Sequence, residues 1–407
     1  MFTQYIKRYE KELLENVIPF WESHCIDRDF GGYFTCLDRD GSVYDTTKYM
    51  WMQWRIVCMF GELYMTEYGK PEWLEIAKRG FDFLHRHGRD ETGTYYFALN
   101  RKGEPAMAPY NIYSDCFAAM GAAVLYRATK EEKYRQAAES AMNSYIARMD
   151  NPKGRWDKGM PGKQKYLSLG HYMMLANLGL LMDSCLGADT YAKSLAGAVD
   201  TVLSKFWNPN RGLMFENILP DGSFDLDSCE GRMLNPGHVL EAMWFILNYF
   251  NQYQPGSPQV AKVAEIIKAT LNFGWDREFG GIYYFMDALG KPHLELQADM
   301  KLWWVHNEAT IACLYAYKMT GDSEFFDWFQ RLDEWSWKHF PDPQYGEWFA
   351  YLNRRGEPTH MLKGGKWKTF FHLPRYLLVS LQLMKEMQHD FHEKTGTQES
   401  AACYSRR

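Results

Sequence analysis

Two histidines in this chain sit where a base is wanted, in the opening turn of an apolar helix. His238 lies in Asn235-Pro236-Gly237-His238-Val239-Leu240-Glu241-Ala242-Met243-Trp244. Asn235 is a good N-cap, and Pro236 suits the first helical position, where its missing N–H costs nothing. A first-turn imidazole feels the positive end of the helix dipole, so the sequence predicts a neutral ring, ready to take a proton. His372, in Phe371-His372-Leu373-Pro374-Arg375, precedes a second apolar helix in a similar setting. Glu241 follows His238 by three residues, shares its face and is expected to orient or polarise it. The pair reads as two proton-transfer bases held face to face across one cavity.

Other polar residues lie on segments too apolar to be surface. Arg55 sits inside Trp51-Met52-Gln53-Trp54-Arg55, where a guanidinium needs a carboxylate or a ligand. Trp304 and Glu308 share a helical face in Lys301-Leu302-Trp303-Trp304-Val305-His306-Asn307-Glu308, with Lys301 nearly in line. Glu308 is a candidate acid or an ion-pair partner for Arg55 or Lys301. His306 reads as a satisfied core histidine, and His171 as core by default. Gln297, Asp299 and Asn177 are weaker candidates, and Phe371 adjoins the second base. No HxxxH, HExxH or CxxC array is present, so no catalytic metal is expected. No GxGxxG follows a strand, which removes a Rossmann site. The Gly- and Lys-rich stretch Gly154–Lys163 lacks a GK[ST] ending and by its spacing reads as a solvated loop.

These residues need a frame, and the chain writes it as a repeat. An acidic or Asn start, a Gly, aromatics and a Gly-containing turn recur from residues 29, 90, 151, 208, 276 and 342, spaced 57–68 residues apart. Alternating aromatics around a Gly turn predict short hairpins. Between them the pattern switches to helical spacing. Amphipathic helices are expected over Pro71–His87, Glu131–Met149, Gln259–Phe273 and Asp322–Phe340. Helices apolar nearly all round are expected over Tyr49–Met65, Asp115–Thr129, Leu167–Cys185, Pro236–Phe250, Leu302–Met319 and His372–Met387. All-apolar helices are buried and amphipathic ones lie outside. The predicted fold is therefore all-α, an (α/α)6 toroid with hairpins gathered at one mouth. It forms a single domain over residues 1–389, with a loose, polar tail over 390–407.

Composition narrows the function. The chain has 407 residues and a net charge of −5, with no basic footprint for nucleic acid. No apolar run approaches a membrane span, and no leader peptide is expected. Eight cysteines stand singly, and Cys36, Cys58, Cys116, Cys185 and Cys313 lie in apolar surroundings, the usage of a reducing cytoplasm. Aromatics make up 16% of the chain, which suits either a sugar site or a large aromatic core.

The phrases Gly31-Gly32-Tyr33-Phe34-Thr35-Cys36-Leu37-Asp38, Asn235-Pro236-Gly237-His238, Lys301-Leu302-Trp303-Trp304, Tyr345-Gly346-Glu347-Trp348-Phe349 and Phe371-His372 resemble the N-acylglucosamine 2-epimerases, whose animal members are also called renin-binding proteins. The resemblance runs from about residue 5 to residue 387. It implies an (α/α)6 barrel that interconverts N-acetyl-D-glucosamine and N-acetyl-D-mannosamine through the open-chain sugar. It places the two bases on His238 and His372, the essential arginine on Arg55 and the essential glutamates on Glu241 and Glu308. Trp304, Lys301, Asn177, Gln297 and Phe371 are then expected around the sugar. The resemblance further implies ATP as an activator that is not consumed, near Lys153, Lys158 and Lys163, and a homodimer. His171 stands where family members often carry another residue. Cellobiose 2-epimerases and aldose–ketose isomerases share the toroid and remain alternatives. So do a glycoside hydrolase built on Asp115 and Glu308 and a pure binding protein.

Overall fold

The all-apolar helices line the inside of a ring. The computed structural model describes residues 2–160, 162–187 and 189–404, with side chains as far as residue 390 apart from that of residue 189. Outer helices are α1 (residues 3–24), α3 (Pro71–His87), α5 (Glu132–Arg148), α7 (residues 192–206), α9 (Gln259–Gly274) and α11 (Ser323–His339). Inner helices are α2 (Met50–Tyr64), α4 (Tyr113–Thr129), α6 (Leu169–Leu186), α8 (Pro236–Tyr253), α10 (Trp303–Thr320) and α12 (His372–Tyr404). Each inner helix packs on the next around the barrel. The residues just ahead of α12 close the seam onto α2 and α4 through aromatic contacts. Phe371 meets Phe117 of α4 at 5.5 Å, and Phe370 meets Phe60 of α2 at 4.9 Å. Each Leu or Phe buried on these faces contributes about 1.5–3 kcal/mol over leaving it in water.

The six inner spans and four outer spans read from the sequence match these helices to within a few residues, except that the last inner helix runs well past Met387. The two outer helices not named from periodicity, α1 and α7, each contain a wider π turn, at Glu12–Val17 and Val202–Phe206. An inserted π turn rotates the apolar stripe, so a fixed 3.6-residue period loses it. The backbone of α12 runs on to Tyr404, so residues 390–404 are helical where a loose tail was expected. No proline interrupts the ladder after Pro374. The rest of that tail, residues 405–407, lies outside the described residues. The seven described cysteines are free thiols, with Cys36, Cys58, Cys116, Cys185 and Cys313 buried. Among the described residues no helix is long and apolar enough to cross a membrane.

The short strands do more than close hairpins. The strand before an inner helix pairs with an arm of the next repeat, as Lys48–Tyr49 does with Ala98–Leu99 and Lys301–Leu302 with Tyr351–Leu352. A recurring charge cluster locks these joints. Asp27, Asp276 and Asp342 each open a hairpin and accept from a buried lysine, Lys48 at 3.0 Å, Lys301 at 3.2 Å and Lys363 at 2.9 Å. The first copy of the phrase thus begins at Asp27, not at residue 29. The lysines also donate to a carbonyl of the glycine turn, at Gly31, Gly281 and Gly346. An arginine from the next hairpin completes each cluster. Arg101 reaches back to Asp27, Arg354 to Asp276 and Arg39, from the first hairpin, to Asp342 of the last. Lys301 is therefore a structural cation. It lies in a strand, ahead of the helix that begins at Trp303, so helical spacing did not govern where it points.

Helix α1 shuts the outer layer. Arg8 and Tyr9 bond Asp333 of α11 at 2.5 and 2.8 Å, and Tyr9 accepts from Tyr376 of α12 at 2.5 Å. Trp21 donates to Glu347 of the sixth hairpin at 2.7 Å.

Candidate active site

The heads of α8, α10 and α12 converge at the hairpin mouth. Asn235 caps α8 as expected, its side chain accepting from the His238 N–H at 3.2 Å. Gly237 lets α10 come close, because a Cβ there would fall 2.7 Å from the Trp304 ring. Trp304 consequently lies between the two histidines, its ring 5.4 Å from His238 and 5.7 Å from His372. The two histidines thus share one indole wall.

Each histidine is held by a carboxylate. His238 Nδ1 lies 3.1 and 3.0 Å from the two oxygens of Glu216. His372 Nδ1 lies 2.8 Å from Glu308 Oε1. A carboxylate only accepts, so Nδ1 carries the hydrogen in both rings and Nε2 is the nitrogen left for chemistry. The surroundings then drive the two apart. Burial opposes a charge on His238, yet Glu216 outweighs it and raises its pKa above the ordinary 6.5. Burial, then Arg55 and Arg375, hold His372 well below that value. Of the two rings, His238 therefore holds a proton the more readily and His372 the less. The helix dipole, expected to keep His238 neutral, is overridden by a full carboxylate charge in contact.

Glu241 has a different partner from the one expected. It accepts from Arg375 Nη2 at 2.5 Å, and Glu308 Oε1 accepts from the same nitrogen at 2.7 Å. Glu308 Oε2 takes Trp244 Nε1 at 2.7 Å. Burial opposes the Arg375 charge, but the two glutamates hold its pKa above the ordinary guanidinium value. Arg375 Nη2 lies 3.3 Å from His372 Nδ1, and both nitrogens point their hydrogens at Glu308. Ligand atoms of Glu241, Glu308 and His372 fall within 4.8 Å of one another. A cation among them would meet a guanidinium already bonded to both carboxylates. The donor set is therefore that of an ion-pair network.

Arg55 has neither the carboxylate contact nor the ion pair with Glu308 that the sequence left open. Rings enclose it instead: Phe117 at 4.1 Å, Trp51 at 4.8 Å and Phe371 at 4.8 Å. Burial pushes its pKa down to about 9, with Glu241 offsetting part of the cost through space. Its Nε is buried without a partner. A charge held by π faces keeps donors to spare for an anionic ligand atom.

The remaining candidates separate. Phe371 is buried and supports Arg55 and Arg375 from beneath, at 4.8 and 4.7 Å. Its role is to position those cations, with little surface left for a sugar. Asn177 lines a cavity of about 540 Å³ that opens on the opposite side of Arg375, toward the C-terminal ends of the inner helices. Helical phase placed Asn177 inside the barrel but could not say at which end. Gln297 lies in the loop after the fifth hairpin and bonds Glu295 at 2.9 Å. Asp299 is exposed in the same loop. Lys153, Lys158 and Lys163 are exposed on the loop between α5 and α6, with Lys163 tied to Asp157 at 2.5 Å. His306 is a satisfied core histidine, as read. Its Nε2 accepts from Ile282 at 2.9 Å and its Nδ1 faces the Leu302 carbonyl at 2.7 Å.

His171 is not core. Its ring lies 5.8 Å from Tyr113 and is partly open, and burial pushes its pKa down to about 4 while Glu216 pulls it up and His238 pulls it down. It stands as a neutral imidazole beside the Glu216–His238 pair. Asp115 is fully buried and bonded to Arg148 of α5. Burial raises its pKa to about 6, and it cannot act opposite Glu308 as a hydrolase would need.

Sequence reasoning missed Glu216 and Arg375. Arg375 follows His372 by three residues, so its shared face was visible. Glu216 ends the apolar run Leu213-Met214-Phe215 in the fourth hairpin, 22 residues from its partner, with no periodic signal between them. A testable consequence follows from Glu216. Gln in its place bonds Nδ1 but removes the charge, so the alkaline limb of the pH–rate profile, set by His238, moves to lower pH. At pH 8 the rate falls about tenfold, whereas an unmoved limb would assign that limb elsewhere.

Comparison with known proteins identifies the family. A family model described as N-acylglucosamine 2-epimerase (GlcNAc 2-epimerase) matches residues 32–375. The N-acylglucosamine 2-epimerase of Bos taurus is 36% identical over 383 residues, covering 92% of this chain and 90% of the relative. That of Homo sapiens is 34% identical and covers 91% and 88%. The solved cellobiose 2-epimerase of Bacillus thermoamylovorans superposes with a TM-score of 0.81 at 19% identity, covering 93% of this chain and 99% of that one, and so shares the fold. With the toroid, the paired histidines and these matches together, the chain belongs to the N-acylglucosamine 2-epimerase family.

Proposed function

We propose that the protein is a sugar isomerase that interconverts N-acetyl-D-glucosamine and N-acetyl-D-mannosamine by moving the proton at C2. The observation that carries this reading is the pair of histidines with opposite proton affinities on one indole wall. In the open-chain sugar the C1 carbonyl acidifies the C2 hydrogen. Neutral His372 Nε2 removes that proton, and the C–H electrons pass into the C1–C2 bond, leaving charge on the carbonyl oxygen. Arg55, with donors to spare, stabilises that oxygen. Imidazolium His238 then delivers a proton to the opposite face of C2, and the configuration inverts. The site gains and loses no net proton, and the reverse reaction starts from the swapped pair. His171, neutral beside Glu216, takes the anomeric hydroxyl proton during ring opening and returns it to the ring oxygen as the C1–O5 bond breaks. Trp304 offers a flat apolar face to the sugar.

The test is deuterium wash-in at C2, followed by proton NMR in D2O on N-acetylmannosamine, with cellobiose and mannose as competing substrates. Exchange and epimerisation of the N-acetyl sugars support the reading. Activity confined to cellobiose or mannose would move the chain to the alternative specificities, and no exchange with any sugar would leave a binder.

We carry three further expectations as proposals. ATP activates without being consumed, supported by the exposed lysines Lys153, Lys158 and Lys163 at the hairpin mouth and by the family resemblance. ATP that changes neither the exchange rate nor the melting temperature would end that idea. A homodimer rests on the resemblance alone, and light scattering decides it. A cytoplasmic location rests on the free thiols.

A further inference from the structure

Three hairpins can be laid over one another through their opening aspartates: Asp27 to Tyr33, Asp276 to Ile282 and Asp342 to Trp348. The buried lysines Lys48, Lys301 and Lys363 fix the same register for the segments that follow. Five residues beyond those lysines stand Gln53, His306 and Lys368. In the first two cases this residue accepts from the backbone. The Tyr33 N–H donates to Gln53 Oε1 at 2.8 Å, and the Ile282 N–H donates to His306 Nε2 at 2.9 Å. Gln53 also returns its Nε2 hydrogen to the Tyr33 carbonyl at 2.8 Å. The residue just before must be glycine. A Cβ on Gly32 would lie 3.0 Å from Gln53 Oε1, one on Gly281 would lie 3.0 Å from His306 Nε2, and both backbones have positive φ.

The sixth repeat breaks the pattern at both positions together. Lys368 is a cation and cannot accept from the Trp348 N–H. The glycine is replaced by Glu347, which keeps the left-handed backbone at φ 57°. Its carboxylate supplies the missing acceptor, taking the Trp348 N–H at 2.9 Å and Lys368 Nζ at 2.7 Å. Lys368 also donates to the Trp348 carbonyl, as Gln53 does to that of Tyr33. Both side chains are buried. A non-glycine residue held at positive φ inside a protein is a strain that its surroundings must over-determine.

The same repeat departs from its sisters in one more way. After Lys48 and Lys301 the inner helix begins two residues on, at Met50 and Trp303, but after Lys363 it begins only at His372. Residues 365–371 form a non-helical strap, and the catalytic imidazole is the first residue after it. The strap has no helical ladder to fix it. Lys368, at its middle, ties it to the hairpin through Glu347, which is also bonded to Trp21 of α1.

We propose that Glu347 and Lys368 are positioning residues that pin this strap and so set His372 against Glu308 and Arg375. The proposal rests on His372 being a base of the proposed epimerisation, and the test reads His372 without substrate as well. Glu347→Gly leaves Lys368 without its carboxylate and the Trp348 N–H without an acceptor. Glu347→Gly/Lys368→Gln recreates the Gly32–Gln53 arrangement of the first repeat.

Measured at a temperature where each variant is folded, Glu347→Gly is expected to lower kcat about 10- to 100-fold with little change in KM. The His372 titration, followed by histidine-selective NMR and assigned with His372→Ala, should move toward ordinary values as the ring leaves Arg55 and Arg375. The double variant should recover kcat to within about threefold and restore the titration. A single variant that keeps wild-type kcat, or loses only what its unfolded fraction explains, overturns the proposal. So does a folded double variant as slow as the single one. If Glu347→Gly does not fold, the double variant decides alone: turnover and titration restored support the pinning, and folding without them overturns it. A wild-type enzyme that moves no C2 proton while its His372 titration still responds to Glu347→Gly would instead fault the epimerase reading.

Discussion

Alanine at His238 or at His372 abolishes net epimerisation in both directions, by about 10³-fold or more, because each turnover moves one proton on each face of C2. Exchange does not vanish in the same way. The surviving base still meets the C2 hydrogen of one epimer, so each variant should wash deuterium into one sugar only. The two variants should favour opposite sugars. NMR of N-acetylglucosamine and N-acetylmannosamine, run separately in D2O with each variant, reads this directly. Near-wild-type epimerisation by either variant would remove that histidine from the chemistry. Exchange of the same sugar by both would put the two rings on one face. The wild-type pH profile carries a related signature. Both directions use the singly protonated pair, so both should share one bell, its acidic limb below pH 6.5 and its alkaline limb above.

Arg375→Leu has the second large effect. It strands Glu241 and Glu308, two buried carboxylates that share one nitrogen of Arg375. Breaking a buried pair from one side costs about 3–5 kcal/mol, readable in urea unfolding. It also frees His372 from a nearby cation and leaves it facing unpaired anions, so its pKa rises and the acidic limb of the rate profile moves up. The stability profile changes with it. In the wild-type fold His372 stays neutral below pH 6.5 while the unfolded chain takes up a proton. Stability from this site is therefore present above that pH and lost as pH falls. In Arg375→Leu that acid-side loss should shrink. Arg375→Lys keeps the charge but not the planar fork, and should fall between the two. Unchanged urea midpoints and pH limbs in Arg375→Leu would show that the network is not what holds His372.

The parts of this site that were legible in the sequence are those that local rules govern. Asn235 and Pro236 announce a helix start, so His238 could be placed in a first turn. Trp304 and Glu308 lie inside α10 and keep their helical spacing in the fold. The misassignments have physical causes. Lys301 was read with helical phase although it lies in a strand. Glu241 does share a face with His238, yet the His238 ring turns its Nδ1 toward the hairpin that precedes its own helix, where Glu216 waits. Arg55 was expected to need a carboxylate, because charge burial is usually relieved by opposite charge. Three aromatic rings relieve it here, and no spacing rule announces a ring contributed by α4 or by the strap before α12. The toroid itself was readable because its period is written six times.

The closure of α1 on α11 and α12 has a consequence for how the chain is made. Synthesis is vectorial: residues 3–24 leave the ribosome first, while their partners Asp333, Glu347 and Tyr376 leave last. Arg39 likewise waits for Asp342. A nascent chain ending before the sixth repeat holds eleven of the twelve helices with an open seam, and the apolar flank of α2 lacks its last neighbour until α12 is made. The ring has no natural beginning. A circular permutant whose new ends fall at the exposed Lys158, between α5 and α6, keeps every one of these bonds and changes only which pair of neighbours must meet last.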